Sequence, residues 1–299
     1  MNDLPHNLKQ IITRDYHISN QKISIKRYID FDNLERTIKE FELLNKSYQL
    51  SIIKYLMATD NLDYIKNMIS KIYNFDVNME NGILLKLSIV NNIFNNIEYL
   101  INIGANLYIE DNIIAKIAAQ EGNIEIFQYI LKNCSICLQD DLIFYAAISR
   151  HNPLEKIKFL DDYGINLHIY NDHILITAVQ KNLITAVEYL LFKGCDVNAQ
   201  NGIALRYSLW YNLFEITELL LKTGANTYYL QPDDLVDVIN GKHFSIIELL
   251  IKYGLDVSIF NGYFNKIGGS DTHKTIKILI DSGINPIDLL AVCMNPHNI

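Results

Sequence analysis

NDHILITAVQKNLITAVEYLLFKGCDVNAQ, residues 171–200, decides how this chain folds. Asn171 and Asp172 at its start are N-cap residue types, whose side-chain oxygens accept the free N–H groups of a first helical turn. Leu175, Ala178 and Val179 fall at i, i+3 and i+4, on one apolar face of a short helix. Asn182 interrupts that helix with a turn residue. A second helix follows, with Ile184, Val187, Leu190 and Leu191 on one side and Glu188 on the other. Gly194 ends it, because glycine takes the left-handed conformation that closes a helix. Asp196 can then bond nearby backbone and fix the reversal. The segment reads as helix, turn, helix, loop.

The segment is one of a series. Reading back from the C-terminus, Gly283, Gly254, Gly224, Gly194, Gly164, Cys134, Gly104 and Asn74 each close an apolar run. All steps are thirty residues except the one from Gly254 to Gly283, which is one shorter. Asp or Asn follows two positions later everywhere but at Ile136. The apolar columns keep the same period. Leu85, Ala115, Tyr145, Leu175, Leu205 and Leu235 share one slot of the first helix, and Ser88, Ala118, Ile148, Ala178, Ser208 and Val238 a second, mostly small one. On the second helix the aromatic-rich column Tyr99, Tyr129, Phe159, Tyr189, Leu219 and Leu249 is followed directly by Leu100, Ile130, Leu160, Leu190, Leu220 and Leu250. No unit buries both faces alone, so stability must come from neighbours stacking. The predicted fold is an all-α solenoid of helix-turn-helix units with a thirty-residue period.

The ends are less regular. Asn33, Leu34 and Glu35 echo Asn123, Ile124 and Glu125 at three full periods, so residues 26–50 read as a diverged repeat. Residues 1–25 form a leader or cap, 51–287 about eight repeats, and 288–299 a partial repeat or cap.

Composition narrows the function. Apolar residues make up 49% of the chain, enough for a continuous core. A net charge of −8 argues against nucleic acid, whose binders carry a basic face. Four cysteines make no disulfide framework and fit a reducing compartment. Met1–Gln10 lacks the apolar core of a secretory signal, and no apolar run reaches the length of a membrane helix. These features predict a soluble intracellular protein. The surplus of Asn, Ile, Lys and Tyr, which have AT-rich codons, points to an AT-rich genome.

The segments AAQEGNIEIFQYIL (118–131), TELLLKTGAN (217–226) and KGCDVNA (193–199) resemble ankyrin repeats and the loops between them. The resemblance covers roughly residues 51–290, and several columns agree over at least seven units. Two features depart from the family pattern. The period is thirty rather than 33, and the T-P-L-H tetrad gives way to stretches such as Ile203-Ala204-Leu205-Arg206. The shortened loop is expected to form a tight turn instead of a β-hairpin finger. In period and composition the chain is similar to ankyrin proteins of giant amoebal DNA viruses of the mimivirus type. The resemblance implies a non-enzymatic scaffold, viral and host-directed, that binds a partner protein in the host cytoplasm without a cofactor. Two other roles stay open: a structural, self-assembling viral component, and an adaptor that brings a substrate to host ubiquitin machinery.

In an ankyrin stack the first helices and the loops line a concave face, and the two residues before each mid-unit turn point outward there. Here those pairs are Val90-Asn91, Gln120-Glu121, Arg150-His151, Gln180-Lys181, Trp210-Tyr211 and Asn240-Gly241. Trp, Tyr and Arg are enriched at binding hot spots, which singles out Arg150, His151, Trp210 and Tyr211, with Gln180 and Lys181 between them. Trp210, the single tryptophan, has a second reading, as a filler against the next unit. The loops add Tyr108, Tyr170, Tyr228, Tyr229 and Phe260, as a binding stripe or, the favoured reading, folded over neighbouring loops. The expected ligand is a protein, with no nucleic acid, membrane or small molecule.

Other motifs carry no chemistry on the sequence alone. Cys134 and Cys137 have the spacing of half a zinc site but no second pair. The histidines are scattered. Gly268-Gly269-Ser270 lacks the strand and Lys of a phosphate loop. Asp161-Asp162 and Asp233-Asp234 are paired only in sequence. The sequence therefore predicts no catalytic residue, no metal ligand and no cofactor.

Overall fold

Two backbone devices recur along the chain and cut it into helices. At the end of several first helices an asparagine turns left-handed: Asn92, Asn182 and Asn212 have φ between 53 and 58°. At the end of each second helix a glycine does the same: Gly104, Gly164, Gly194, Gly224 and Gly254, with Asn74 in the first such slot. Both ends are Schellman closures, in which the N–H beyond the left-handed residue reaches back over a full turn. Leu183 N–H bonds Ala178 O at 3.0 Å and Cys195 N–H bonds Leu190 O at 3.1 Å. Leu213 to Ser208, Ala225 to Leu220 and Leu255 to Leu250 repeat the pattern. The turn expected at Asn182 and the left-handed closure expected at Gly194 are thus built as the spacing predicts.

The structure, a computed structural model, describes residues 29–134, 141–240, 243–256, 259, 269–281, 285 and 287. The segments 1–25 and 288–299, Gly241, Phe260, Cys137, Gly268 and Gly283 lie outside them. The described residues form sixteen α-helices and no strand. Two compact units are present, divided between residues 138 and 139. The first contains α1 (Leu34–Glu42), α2 (Lys46–Leu56), α3 (Leu62–Lys71), α4 (Met79–Val90), α5 (Phe94–Asn102), α6 (Ile113–Gln120) and α7 (Ile124–Asn133). The second contains α8 (Leu142–Ala147), α9 (Pro153–Asp162), α10 (Ile169–Gln180), α11 (Ile184–Phe192), α12 (Ala199–Trp210), α13 (Phe214–Lys222), α14 (Pro232–Asn240), α15 (Phe244–Lys252) and α16 (Gly269–Asp281).

Within each unit, helices pack on their own partners and on counterparts in the next repeat. In the second unit α10 meets α11 and α12, and α12 meets α13 and α14, while α9, α11, α13 and α15 line up in a second row. In the first unit α4 packs on α2, α5 and α6. The core is the set of columns that the sequence marks. Leu100, Ile130, Leu160, Leu190, Leu220 and Leu250 are fully buried. Each such side chain contributes about 1.5–3 kcal/mol relative to an exposed one. The neighbouring aromatic column, Tyr99, Tyr129, Phe159 and Tyr189, is only half-buried, at the rim of that row.

The entry to the first helix differs from the sequence expectation. Asn171 and Asp172 do not cap it. With Tyr170 they form one left-handed turn, φ 51, 56 and 55°. Glu80-Asn81-Gly82, Glu110-Asp111-Asn112 and Gln200-Asn201-Gly202 do the same at matching positions. A left-handed residue costs about 1–2 kcal/mol unless it is Gly, and Asn and Asp ease the cost through local hydrogen bonds. Each triplet carries at least one of these three types. This turn replaces a hairpin finger and lets the repeat close in thirty residues. Asx turns precede it: Asp76, Asn106, Asn166 and Asp196 each accept the N–H two residues on at 2.9 Å, as does Asn226 before the 3-10 turn Thr227–Tyr229.

One repeat slips. In α8 the buried residues are Leu142, Ile143, Ala146 and Ala147, whereas the neighbouring pattern runs through Ile174, Leu175, Ala178 and Val179. The helix sits two residues early relative to the thirty-residue register. Tyr145 and Ile148, placed in the core columns by sequence, are consequently only half-buried. The two displaced residues form a bend before α9, where Ser149 Oγ donates to His151 O at 2.9 Å. Asn152 in the left-handed region and Pro153 at the first helical position fix where α9 starts, so the slip is absorbed upstream. Cys134 also departs from its glycine slot. It has φ −131°, is buried, and is disulfide-bonded, contrary to the expectation of reduced cysteines.

Candidate functional site

Trp210 and Tyr211 end α12, the tryptophan as its last residue and the tyrosine as its cap. Trp210 is 41% and Tyr211 55% exposed. Tyr207, one turn earlier, holds the pair together. Its ring meets Trp210 edge-on at 5.1 Å and stacks on Tyr211 at 6.0 Å with an interplanar angle of 11°. Asp234, at 1% exposure on α14, accepts the Trp210 indole N–H at 2.8 Å. The same carboxylate accepts Arg206 Nε at 2.9 Å and the Gln231 backbone N–H at 2.7 Å. The Arg206 guanidinium in turn lies 5.1 Å over the indole. The filler reading of Trp210 matches its bond to Asp234 of the next repeat. Its N–H is bound to the next repeat, and its ring remains accessible beside Tyr211.

The other candidates spread along the second unit. Gln180 ends α10 and is half-buried, and Lys181 beside it is exposed. Arg150 and His151 are exposed, but the slip of α8 puts them on the bend, not on a helix end. Tyr170 is 71% exposed on its left-handed turn and stacks against Phe144 at 5.8 Å. Tyr228 is 85% exposed and meets Tyr229 edge-on. Tyr108, in the first unit, is also exposed. Tyr229 alone of these folds inward, over the left-handed Gly202, where a Cβ would sit 3.1 Å from its own. Folding-over, the favoured expectation for the loop aromatics, describes Tyr229 and not Tyr108, Tyr170 or Tyr228.

A separate polar cluster joins two consecutive loops of the second unit. His168 Nδ1–H donates to Asp172 Oδ1 at 2.7 Å, and Asp172 Oδ2 accepts the Asp196 N–H at 2.9 Å. The buried Cys195 thiol also bonds Asp172, and burial first, then this carboxylate, pushes it up to about 12. Such a thiol stays protonated and is no nucleophile. Nearby, Tyr189 Oη–H and Lys193 Nζ donate to Asp161 at 2.5 and 2.6 Å. Burial would raise the Asp161 carboxyl, but these donors outweigh it and hold it below its usual range.

Residues 115–201 match the family model for ankyrin repeats in three copies. Over this segment the chain carries ankyrin repeats. It is similar to ankyrin repeat proteins of Acanthamoeba polyphaga mimivirus. With R601 it shares 25% identity over 84% of this chain and 82% of the relative. With R599 the figures are 23%, 87% and 77%, and with R603 32% over 36% and 37%. Ankyrin repeats are protein-interaction modules, and no described helix is long and apolar enough to cross a membrane.

One predicted pair does not face outward. Gln120 and Glu121 are buried, and Gln120 Nε2 donates to Glu121 Oε1 at 3.1 Å. Their turn carries Gly122 instead of the left-handed asparagine of Asn92, Asn182 and Asn212, so the pair leaves the helix differently. Sequence reasoning missed Tyr207, Arg206 and Asp234. The signal was present, since Arg206 and Asp234 are opposite charges 28 residues apart, near one period. His168, Asp172 and Cys195 were missed as a group because each alone looks like an ordinary loop residue.

Proposed function

We propose that this chain is a non-enzymatic scaffold that binds a partner protein through the helix ends and loops of its second unit. The observation that carries this reading is the aromatic group Tyr207, Trp210 and Tyr211, fixed by Asp234 yet open to solvent. Rigid aromatic side chains give large contact area at low entropic cost, which is why they anchor interfaces. Tyr170 and Tyr228 extend the surface through the loops, and Arg150, His151, Gln180 and Lys181 supply its polar part. The net charge of −8 favours a protein over nucleic acid as the partner. The kinship with amoebal virus proteins supports a host protein in the cytoplasm as the target. We read residues 26–50 as a diverged repeat and 51–287 as the repeat body.

The test is capture from amoebal lysate with wild type, Tyr211→Ala, and a Tyr170→Ala, Tyr228→Ala pair, each checked for folding by circular dichroism. Tyr211→Ala is preferred to a Trp210 change because Trp210 also holds α14. A specific protein lost with Tyr211→Ala supports the reading. Retention of every partner by all variants would sink it. Recovery of this chain alone, with concentration-dependent assembly, would favour a structural viral role instead.

A further inference from the structure

Three residues that break the repeat pattern meet at one point of the second unit. His168, Asp172 and Cys195 bring an imidazole nitrogen, a carboxylate oxygen and a sulfur within 4.8 Å of one another. One repeat later the same positions hold Asn198, Gly202 and Ala225, and three repeats earlier Asn78, Gly82 and Ala105. At those places an asparagine joins the loops. Asn198 accepts the Asn226 N–H at 2.8 Å and donates to Gly224 O, and Asn78 does the same with Asn106 and Gly104. His168 cannot make that bridge, and Asp172 supplies it to Asp196 through one oxygen only. Its second oxygen faces His168, and the carboxylate also bonds the Cys195 thiol. Loop joining therefore does not account for the histidine or the cysteine.

We propose that His168, Asp172 and Cys195 bind one zinc-class divalent cation that clasps the loop before α10 to the loop after α11. Nitrogen, oxygen and sulfur donors together suit zinc or cobalt better than magnesium or calcium, which take oxygen. Tetrahedral zinc bonds of the usual length put donor atoms roughly 3.3–3.8 Å apart, so small side-chain rotations close the set. A thiolate and a carboxylate balance the two positive charges of the cation. Binding releases the Cys195 thiol proton to solvent and leaves His168 neutral with its proton on Nε2, while one Zn–S, one Zn–N and one Zn–O bond replace three of the ion's water ligands. Among the described residues Asp172 pairs with no lysine or arginine, so the cation also supplies a buried carboxylate with the positive charge it lacks. His168 is exposed and gives the ion a path from solvent. A water completes the shell, and the role is a structural clasp.

The full chain is freed of metal with a chelator and titrated with Co²⁺, then Zn²⁺ in competition with a chromophoric chelator. One equivalent of Co²⁺ with a near-ultraviolet thiolate charge-transfer band is expected, absent in Cys195→Ser. His168→Asn and Asp172→Asn should each weaken binding by about tenfold or more, as loss of a ligand does. His168→Asn installs the residue that Asn78 and Asn198 carry at this slot, so it keeps the test valid if Cys195→Ser misfolds. Absence of stoichiometric binding, a band that survives Cys195→Ser, or unchanged affinity in His168→Asn would each overturn the proposal.

Discussion

The carboxylate of Asp234 holds the indole N–H of Trp210 at 2.8 Å across two successive first helices. A buried acid in one repeat thus orients an exposed large aromatic of the repeat before it, and Arg206 closes the triangle. Asp234→Ala removes one acceptor from three donors and should destabilise the chain by about 2–4 kcal/mol. Asp234→Asn keeps an acceptor for the indole and should cost less. Trp210 is the single tryptophan, so its emission reports the change directly. A red shift with lower polarisation is expected for Asp234→Ala, and an unchanged spectrum would refute the constraint.

The left-handed positions make a graded prediction. Asn182→Ala at φ 55° should cost about 1–2 kcal/mol, while Asn182→Gly should be close to neutral. Among glycines, Gly194→Ala meets only the backbone cost, because open space surrounds its Cβ position. Gly202→Ala adds pressure on Tyr229, whose Cβ lies at 3.1 Å, and should be the more damaging of the two. Urea midpoints of the four variants check the order.

Acid should remove a specific contribution. Asp161 is held below the usual carboxylate range in the folded chain, so its stabilisation is present above the unfolded value. It is lost as the pH falls through the folded value. Asp161→Asn is therefore expected to lower the thermal midpoint at pH 7 and to approach wild type near pH 3. Lys193, held protonated by its hydrogen bond to Asp161, should lose the same contact at strongly alkaline pH. A gap between variant and wild type that does not narrow in acid would contradict the pairing.

Cys195 should be chemically quiet. With its thiol pushed up to about 12 by burial and by Asp172, only a minute fraction is thiolate at pH 8. In chelator-treated native protein, iodoacetamide should leave Cys195 unmodified for hours, and denaturant should release it at once. Peptide mass spectrometry separates it from the other cysteines. Fast native labelling would mean that the loop pair opens readily.

Much of this architecture was readable from spacing. Gly194 and Asn182 announce the helix ends because a Schellman closure is local and needs a left-handed residue at one position. Leu190 and its counterparts announce the core because an amphipathic face has a fixed period. The slip of α8 was not readable. The core residues Ile143 and Ala146 compete with Tyr145 and Ile148 in a helix apolar on most sides, and only packing selects between them. Nor was the left-handed turn at Tyr170-Asn171-Asp172 readable, because Asn and Asp serve equally as N-caps and as left-handed residues.

The sequence by itself determined the repeat, its period, the two helices of each unit and the columns that fill the core, all of which follow from short-range geometry and patterned burial. The tertiary structure decided which surface aromatics are held and which polar residues meet. Trp210 needs Asp234 from the next repeat, and Cys195 needs His168 and Asp172 from a loop more than twenty residues away. Stacking brings such residues into contact, and a one-dimensional pattern carries no record of which side chains will face each other across the stack.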